Sequence, residues 1–382
     1  MKKSTILLCS IFTYMSFLSF SQTPIALKLD SRMALKKINS NGTTWYNPKR
    51  YPFQLVGFEW IKQDSVYRRL PVHSEWKLSK AVENLANHTA GGQVRFKTNS
   101  KRILVNVNLA EASGMYHMPA TGQSGFDLYV LDNGLNRYIK TTRFPVKSTN
   151  YTVEIFTSNT KKMRSFTLNF PLYNGVNSLQ IGLDTMAVVK APNPFKIEGK
   201  FVIYGTSITQ GGCVSRPGMA YSNIISRNLD VQFINLGFSG NGKGEPELAH
   251  LINQIKNVRL IILDYEPNAT ETIINTLEPF IDIIREQHSD VPILIMSHIR
   301  YAEYTNGSEL YKRLLENRDF QQNLVDEKKA TGDTNIYFLD GSKVLGDDYY
   351  ECMVDGAHPS DLGSKRIADA LIEKIRFILS EK

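Results

Sequence analysis

The rhythm of the chain changes once, near residue 191, and that change is the strongest constraint on its fold. Before it, short segments rich in β-branched and aromatic residues follow one another: VRFKTN (94–99), ILVNVNL (103–109), FDLYVLD (126–132), YTVEIFT (151–157), SFTLNF (165–170) and SLQIGL (178–183). Turn residues such as Asp132-Asn133-Gly134 and Tyr173-Asn174-Gly175 separate them. Short strands at this spacing, with scarcely a helical pattern, predict a β-sandwich or jelly roll. After residue 200 apolar runs alternate with helix-period segments: FVIYG then YSNIISRNL, VQFINLG then EPELAHLINQIKN, RLIILDY then ETIINTLEPFIDIIREQ, PILIMSHI then ELYKRLLENRDFQQNLVDEKKA, and NIYFLDG before a final RIADALIEKIRFILSE. That alternation predicts an α/β domain with a parallel sheet covered by helices on both faces. Between them APNPFKIEGK (191–200), with two prolines and a glycine, reads as a linker. The expected organisation is a β-domain over 22–190, a linker over 191–200 and an α/β domain over 201–382.

Residues 1–21 stand apart from both. Lys2 and Lys3 precede an apolar run from Ile6 to Phe20, and the small residues Ser19 and Ser21 precede a cut before Gln22. This is the layout of a cleavable secretory signal, so the protein is expected to be exported to the periplasm or beyond, with no membrane span in the mature chain. Cys9 sits early in the apolar run, not at its end, which disfavours a lipid anchor.

Losing Lys2 and Lys3 lowers the formal charge from +8 to +6. The remaining basic residues are scattered, without a stripe or interleaved aromatics, and read as solvated surface, so nucleic acid is not an expected partner. Of three cysteines, Cys213 and Cys352 survive cleavage. Two cysteines in so long a chain are no disulfide scaffold; they form a single bridge or remain two thiols.

In an alternating α/β sheet the reacting groups gather at the carboxyl ends of the strands. FVIYG runs into Thr206-Ser207-Ile208-Thr209-Gln210-Gly211-Gly212, which holds a serine at that edge. The last loop, Asp355-Gly356-Ala357-His358, sets a carboxylate three residues from an imidazole. On a turn the acid can hold one ring nitrogen while the other faces a serine hydroxyl. VQFINLG leads into Phe238-Ser239-Gly240-Asn241-Gly242, whose backbone N–H groups are open to an oxyanion, and RLIILD leads to Tyr265-Glu266-Pro267-Asn268, an amide donor at the same edge. Taken singly, each of these is more often a turn or a cap.

Together, YGTSITQGG, INLGFSGNG, ILDYEPN and DGAHPSDLG, in this order, resemble the four blocks of the SGNH or GDSL-like hydrolases. The resemblance implies a flavodoxin-like three-layer fold and a Ser207–His358–Asp355 triad. It also implies an oxyanion hole made of the Ser207 and Gly240 N–H groups with the Asn268 side chain. Thr206 stands where the family has aspartate, and Asn268 comes in PNA in place of GxND. Upstream, Gly125-Phe126-Asp127-Leu128-Tyr129 and His88-Thr89-Ala90-Gly91-Gly92 resemble a GxDLY-type N-terminal domain, and Ser215-Arg216-Pro217-Gly218-Met219 belongs to the same pattern.

Position 209 is Thr, so GxSxG is absent and an α/β-hydrolase elbow is disfavoured. The histidines, His73, His88, His117, His250, His288, His298 and His358, lack HxxxH-type spacing, so no metal or other cofactor is expected. Carboxylic ester hydrolysis follows, and by analogy an acetylated poly- or oligosaccharide is the expected substrate. The alternatives are a lipid or aryl esterase, disfavoured for want of an apolar lid, and a glycan-binding protein without catalysis. Oligomeric state is not legible. The turns at Gly114-Met115-Tyr116-His117 and Gly125-Phe126 are expected to face the second domain.

Overall fold

The computed structural model describes residues 40–381, which fall in one compact unit. The predicted signal over residues 1–21 lies outside the described residues. No helix among those described is long and apolar enough to cross a membrane.

The first half is a sandwich of two antiparallel sheets. One has the order β1 (Thr43–Tyr46), β9 (Val176–Asp184), β4 (Arg102–Leu109), β7 (Asn150–Thr157). The other runs β10 (Val189–Lys190), β3 (Gln93–Thr98), β8 (Arg164–Asn169), β5 (Asp127–Asp132), β6 (Leu135–Thr141), with β2 (Gln54–Val56) also pairing β3. The alternating residues read from the sequence supply the core: Val94, Phe96, Leu128 and Leu168 from one sheet meet Ile103, Val105, Ile155 and Ile181 from the other. Asn133 and Gly134 both take positive φ, 49° and 80°, which suits the two-residue turn joining β5 to β6.

The second half is a five-stranded parallel sheet in the order β12 (Gln232–Gly237), β11 (Lys200–Gly205), β13 (Val258–Asp264), β14 (Ile293–Met296), β15 (Ile336–Leu339). In chain order this is 2-1-3-4-5, the flavodoxin-like arrangement, whose switch point lies at the first strand. Helices of this half are numbered α1 (Ser207–Gln210), α2 (Tyr221–Leu229), α3 (Pro246–Asn253), α4 (Ile273–Arg285), α5 (Glu309–Ala330) and α6 (Asp361–Ser380). Val202 and Tyr204 of β11 pack with Leu248, Leu277 and Phe280 beneath α3 and α4, with Leu324 of α5 in the same cluster. Phe201 and Ile203 point to the opposite face, against Ile224 of α2 and Ile367 and Leu371 of α6. Each such fully buried aliphatic or aromatic side chain contributes roughly 1.5–3 kcal/mol. Three layers result, and they fix β11 centrally with its carboxyl end at the switch point.

Candidate active site

β11 ends at Gly205, where no side chain fits: a Cβ would lie 2.1 Å from the Thr209 Oγ1 and 2.3 Å from the Asp264 carbonyl. The chain then turns into α1. Thr206 caps it, its Oγ1 accepting the Ile208 N–H at 3.3 Å while Thr209 Oγ1 accepts the Thr206 N–H at 3.1 Å. Threonine thus performs the capping task open to an aspartate at this position. Ser207 opens the helix, 8% exposed. Its own carbonyl accepts the Tyr173 hydroxyl at 3.0 Å, a support from the β-sandwich.

The last loop arrives opposite. His358 Nε2 lies 2.9 Å from Ser207 Oγ, and His358 Nδ1 lies 2.8 Å from Asp355 Oδ2. The other carboxylate oxygen of Asp355 accepts the N–H groups of Ala357 (3.1 Å) and His358 (2.8 Å). Partial burial raises the Asp355 pKa, but these hydrogen bonds and the facing imidazole outweigh it and hold it at about 2. Asp355 is therefore an acceptor, which places the ring proton on Nδ1 and leaves the Nε2 lone pair facing the serine. The loop is anchored on both sides. Val354 N–H donates to the His358 carbonyl at 2.8 Å, Cys213 N–H donates to the Pro359 carbonyl at 3.1 Å, and Ser215 N–H donates to Asp361 Oδ1 at 2.8 Å.

The remaining two predicted site residues sit on neighbouring strand ends. After β12, Gly240 takes φ +65°, and no heavy atom lies within 4 Å of where its Cβ would be, so its backbone is open. The loop is tied to the serine turn by Phe238 N–H to the Gly205 carbonyl (2.9 Å) and Ser239 N–H to Gln210 Oε1 (3.1 Å). Asn268 donates one amide hydrogen to the Asn241 carbonyl, which stitches its turn to the glycine-rich loop and leaves the second hydrogen for a ligand. That turn, helical over Glu266–Ala269, is held by Glu266 Oε2, which accepts the His298 N–H and the Gln321 side-chain amide, each at 2.6 Å. The structure thus joins Ser207, His358 and Asp355 by hydrogen bonds and sets Gly240 and Asn268 on adjoining loops.

Four further residues stand at the site, none of them given a catalytic role from the sequence. Tyr173 supports the serine turn. Asp264, buried at the end of β13, accepts Tyr221 Oη at 2.5 Å and Thr209 Oγ1 at 2.9 Å, and burial ahead of these bonds raises its pKa to about 7. His117 comes from the sandwich and meets the His358 ring edge-on with centroids 5.6 Å apart. Cys213 lies close enough to Asp355 for that carboxylate, after burial, to help push its thiol up to about 12. Asp264 lies inside the block ILDYEPN and Cys213 directly follows YGTSITQGG, whereas no spacing ties Tyr173 or His117 to the blocks. Cys213 and Cys352 are both buried and free. The bridge left open above is not present: Cys352 instead packs in its own loop, where the Arg366 guanidinium reaches its sulfur at 3.4 Å.

A serine, an imidazole and a carboxylate in line at the switch point of a 2-1-3-4-5 sheet define the SGNH type of hydrolase. Residues 198–376 match the model of the GDSL-like lipase/acylhydrolase family, and residues 43–189 before them match the GxDLY N-terminus of SGNH-hydrolase-type esterases. Among solved structures it is similar to a Bacteroides ovatus protein of GDSL-like lipase type, with 28% identity and a TM-score of 0.81 over 88% of this chain and 98% of that one. A salicylyl-acyltransferase from a tetracycline biosynthetic pathway aligns at 17% identity and TM-score 0.72, over 89% of this chain and 98% of that one. A Clostridium thermocellum family two carbohydrate esterase, in complex with cellohexaose, aligns at 16% and 0.52, over 76% and 93%. The last two likenesses show the fold. No curated protein matches the chain.

Proposed function

We propose that this protein is an exported serine esterase that removes O-acetyl groups from poly- or oligosaccharides. The observation that carries the esterase reading is the unbroken chain from Ser207 Oγ through His358 to Asp355, at 2.9 and 2.8 Å. In the reaction His358 Nε2 takes the Ser207 proton as Oγ attacks the acetyl carbonyl. The N–H groups of Ser207 and Gly240 and the Asn268 amide receive the oxyanion, each such donor being worth about 3 kcal/mol in the transition state. His358 then protonates the departing sugar hydroxyl and activates water to release acetate.

The carbohydrate reading is supported by the shape beside the triad. Tyr116 is 92% exposed and, with Met118, Pro119 and Val354, lines a groove between the sandwich and the acid–histidine loop. An exposed aromatic face beside a nucleophile suits the apolar face of a sugar ring. The resemblance of the fold to a carbohydrate esterase that holds cellohexaose supports the same choice. Incubation with acetylated xylan, pectin and xyloglucan fragments, beside aryl and long-chain lipid esters, tests it. Acetate released from the sugars, and lost in Ser207→Ala, is the expected result. Acyl release from lipid or aryl esters alone replaces it with the lipid or aryl esterase reading, and no release from any ester leaves a glycan-binding protein. Export is tested separately: the extracytoplasmic protein should begin at Gln22.

A further inference from the structure

We propose that the triad doubles as a Zn²⁺ site whose occupation switches the enzyme off, with His117, Cys213, Asp355 and His358 as the four ligands. One donor atom from each of these residues lies within 4.8 Å of every other. They come from three separate places in the chain: the sandwich loop 110–119, the loop after α1 and the acid–histidine loop. The donor set is two imidazoles, a thiol and a carboxylate, the mixture that Zn²⁺ takes tetrahedrally. Ligand bonds of about 2.0–2.3 Å put tetrahedral donors about 3.4 Å apart, so side-chain adjustment of about an ångström closes the site.

The esterase reaction proposed above gives no role to two of these four. Cys213 is a free thiol, 3% exposed, packed among the apolar side chains of Met118, Leu172, Val214 and Ala220. His117 Nδ1 is buried without a hydrogen-bond partner, although its ring is held against both Tyr116 and His358. A buried imidazole nitrogen left unpaired costs free energy, and a metal ion beside it removes that cost. The neighbouring groove reaches His117 and Cys213 from solvent, which gives the ion a path.

Binding releases the Cys213 thiol proton to solvent and leaves a thiolate on the metal. With Zn²⁺ on His358 Nδ1, the single ring proton resides on Nε2, so the ring no longer accepts a proton from Ser207; with Zn²⁺ on Nε2, the same lone pair is used directly. Either way the base is lost while the fold is kept. The ion is an inhibitor here and no part of the ester chemistry.

The switching half of this inference rests on the esterase reading, and the site itself does not, so the test has two readouts. Metal-stripped mature protein, residues 22–382, is titrated with Co²⁺, whose thiolate charge-transfer band in the near ultraviolet reports a Cys–metal bond. One equivalent should bring up the band; Cys213→Ser should abolish it, Cys352→Ser should keep it, and His117→Ala should weaken binding at least tenfold. In parallel, one equivalent of Zn²⁺ should lower ester hydrolysis at least tenfold, with recovery in EDTA. In Cys213→Ser and His117→Ala the ratio of activity with and without Zn²⁺, each taken against that variant's own metal-free rate, should return close to one. A missing thiolate band, or equal Zn²⁺ sensitivity in wild type and both variants, overturns the proposal. If no ester is hydrolysed by any form, the esterase reading fails while the cobalt band still decides the site.

Discussion

In the proposed reaction Ser207 is a weak nucleophile until its proton has somewhere to go, and the geometry offers the Nε2 of His358 at 2.9 Å. Ser207→Ala removes the attacking oxygen from a turn held by backbone and Thr206 contacts. Turnover should therefore fall by about 10³-fold or more with the melting temperature unchanged. Steady-state kinetics beside thermal unfolding checks this, and near wild-type turnover would end the assignment. Asp355 acts through the ring. With its pKa held at about 2 it is a carboxylate at every pH where the reaction would be assayed. Asp355→Asn keeps the shape but can present an amide N–H to Nδ1, which favours the wrong tautomer. A loss of about 10³-fold or more in kcat is expected across the whole pH profile, with KM little changed. At this scale the sequence was legible where blocks repeat known spacing: Ser207, Gly240, Asn268, Asp355 and His358 all fall in the turns and first helical residues that follow strands, or just before α6. It gave no role at the serine to Tyr173 or His117, because what brings them there is the packing of one domain on another.

The elements that read most clearly were those with uninterrupted periodicity. YSNIISRNL and ELYKRLLENRDFQQNLVDEKKA are helices at 221–229 and 309–330, and FVIYG, VQFINLG and RLIILDY are strands within a residue or so of their predicted ends. β6 escaped notice because its residues are largely exposed or half-buried, so no apolar alternation marks it. PILIMSHI was read three residues too long: after Met296 the backbone leaves the sheet to give the His298 N–H to Glu266. The end of β13 carries a testable consequence of burial. The Asp264 pKa of about 7 lies above the ordinary value of 3.8. As pH rises from about 4 to 7 the unfolded chain loses this proton before the folded one does. The folded state binds more protons in that window, so this site's contribution to stability is full below pH 4 and is lost as pH approaches 7. Asp264→Asn cannot ionise, and its stability relative to wild type should rise between pH 4.5 and 7.5. Urea midpoints measured across that range check the sign; a difference that stays flat would show that Asp264 is ionised throughout.

Across the whole molecule, the two halves meet through polar groups that neither leaves to solvent. Arg69 of the first half is fully buried, donating to the carbonyls of Leu85, His88 and, across the boundary, Gly237. Gln210 of α1 donates to the Leu172 carbonyl at 3.0 Å, and Thr121 Oγ1 to the Ser215 carbonyl at 2.6 Å. The two motifs that stood apart in the sequence, GFDLY and SRPGM, are partners: Asp127, with no exposure, accepts the Arg216 guanidinium at 2.9 Å and the Gly218 N–H at 2.8 Å. The same loop continues from Arg216 back through Ser215, which Asp361 holds, to Cys213, whose N–H anchors Pro359 beside the histidine. The sandwich thus positions the acid–histidine loop through this strap, and wild-type protein in solution scattering should behave as one rigid particle, not as two bodies on a linker. Asp127→Ala removes the carboxylate and leaves Arg216 half-buried without its ion partner, at a cost of about 3 kcal/mol. The variant should melt several degrees lower, and its kcat should fall while Asp355 and His358 remain in place, because the strap that sets their loop has lost its anchor. Asp127→Asn, which keeps one acceptor oxygen, should recover part of both losses. A variant that melts lower yet keeps full kcat would show that the interface supports the fold without positioning the site.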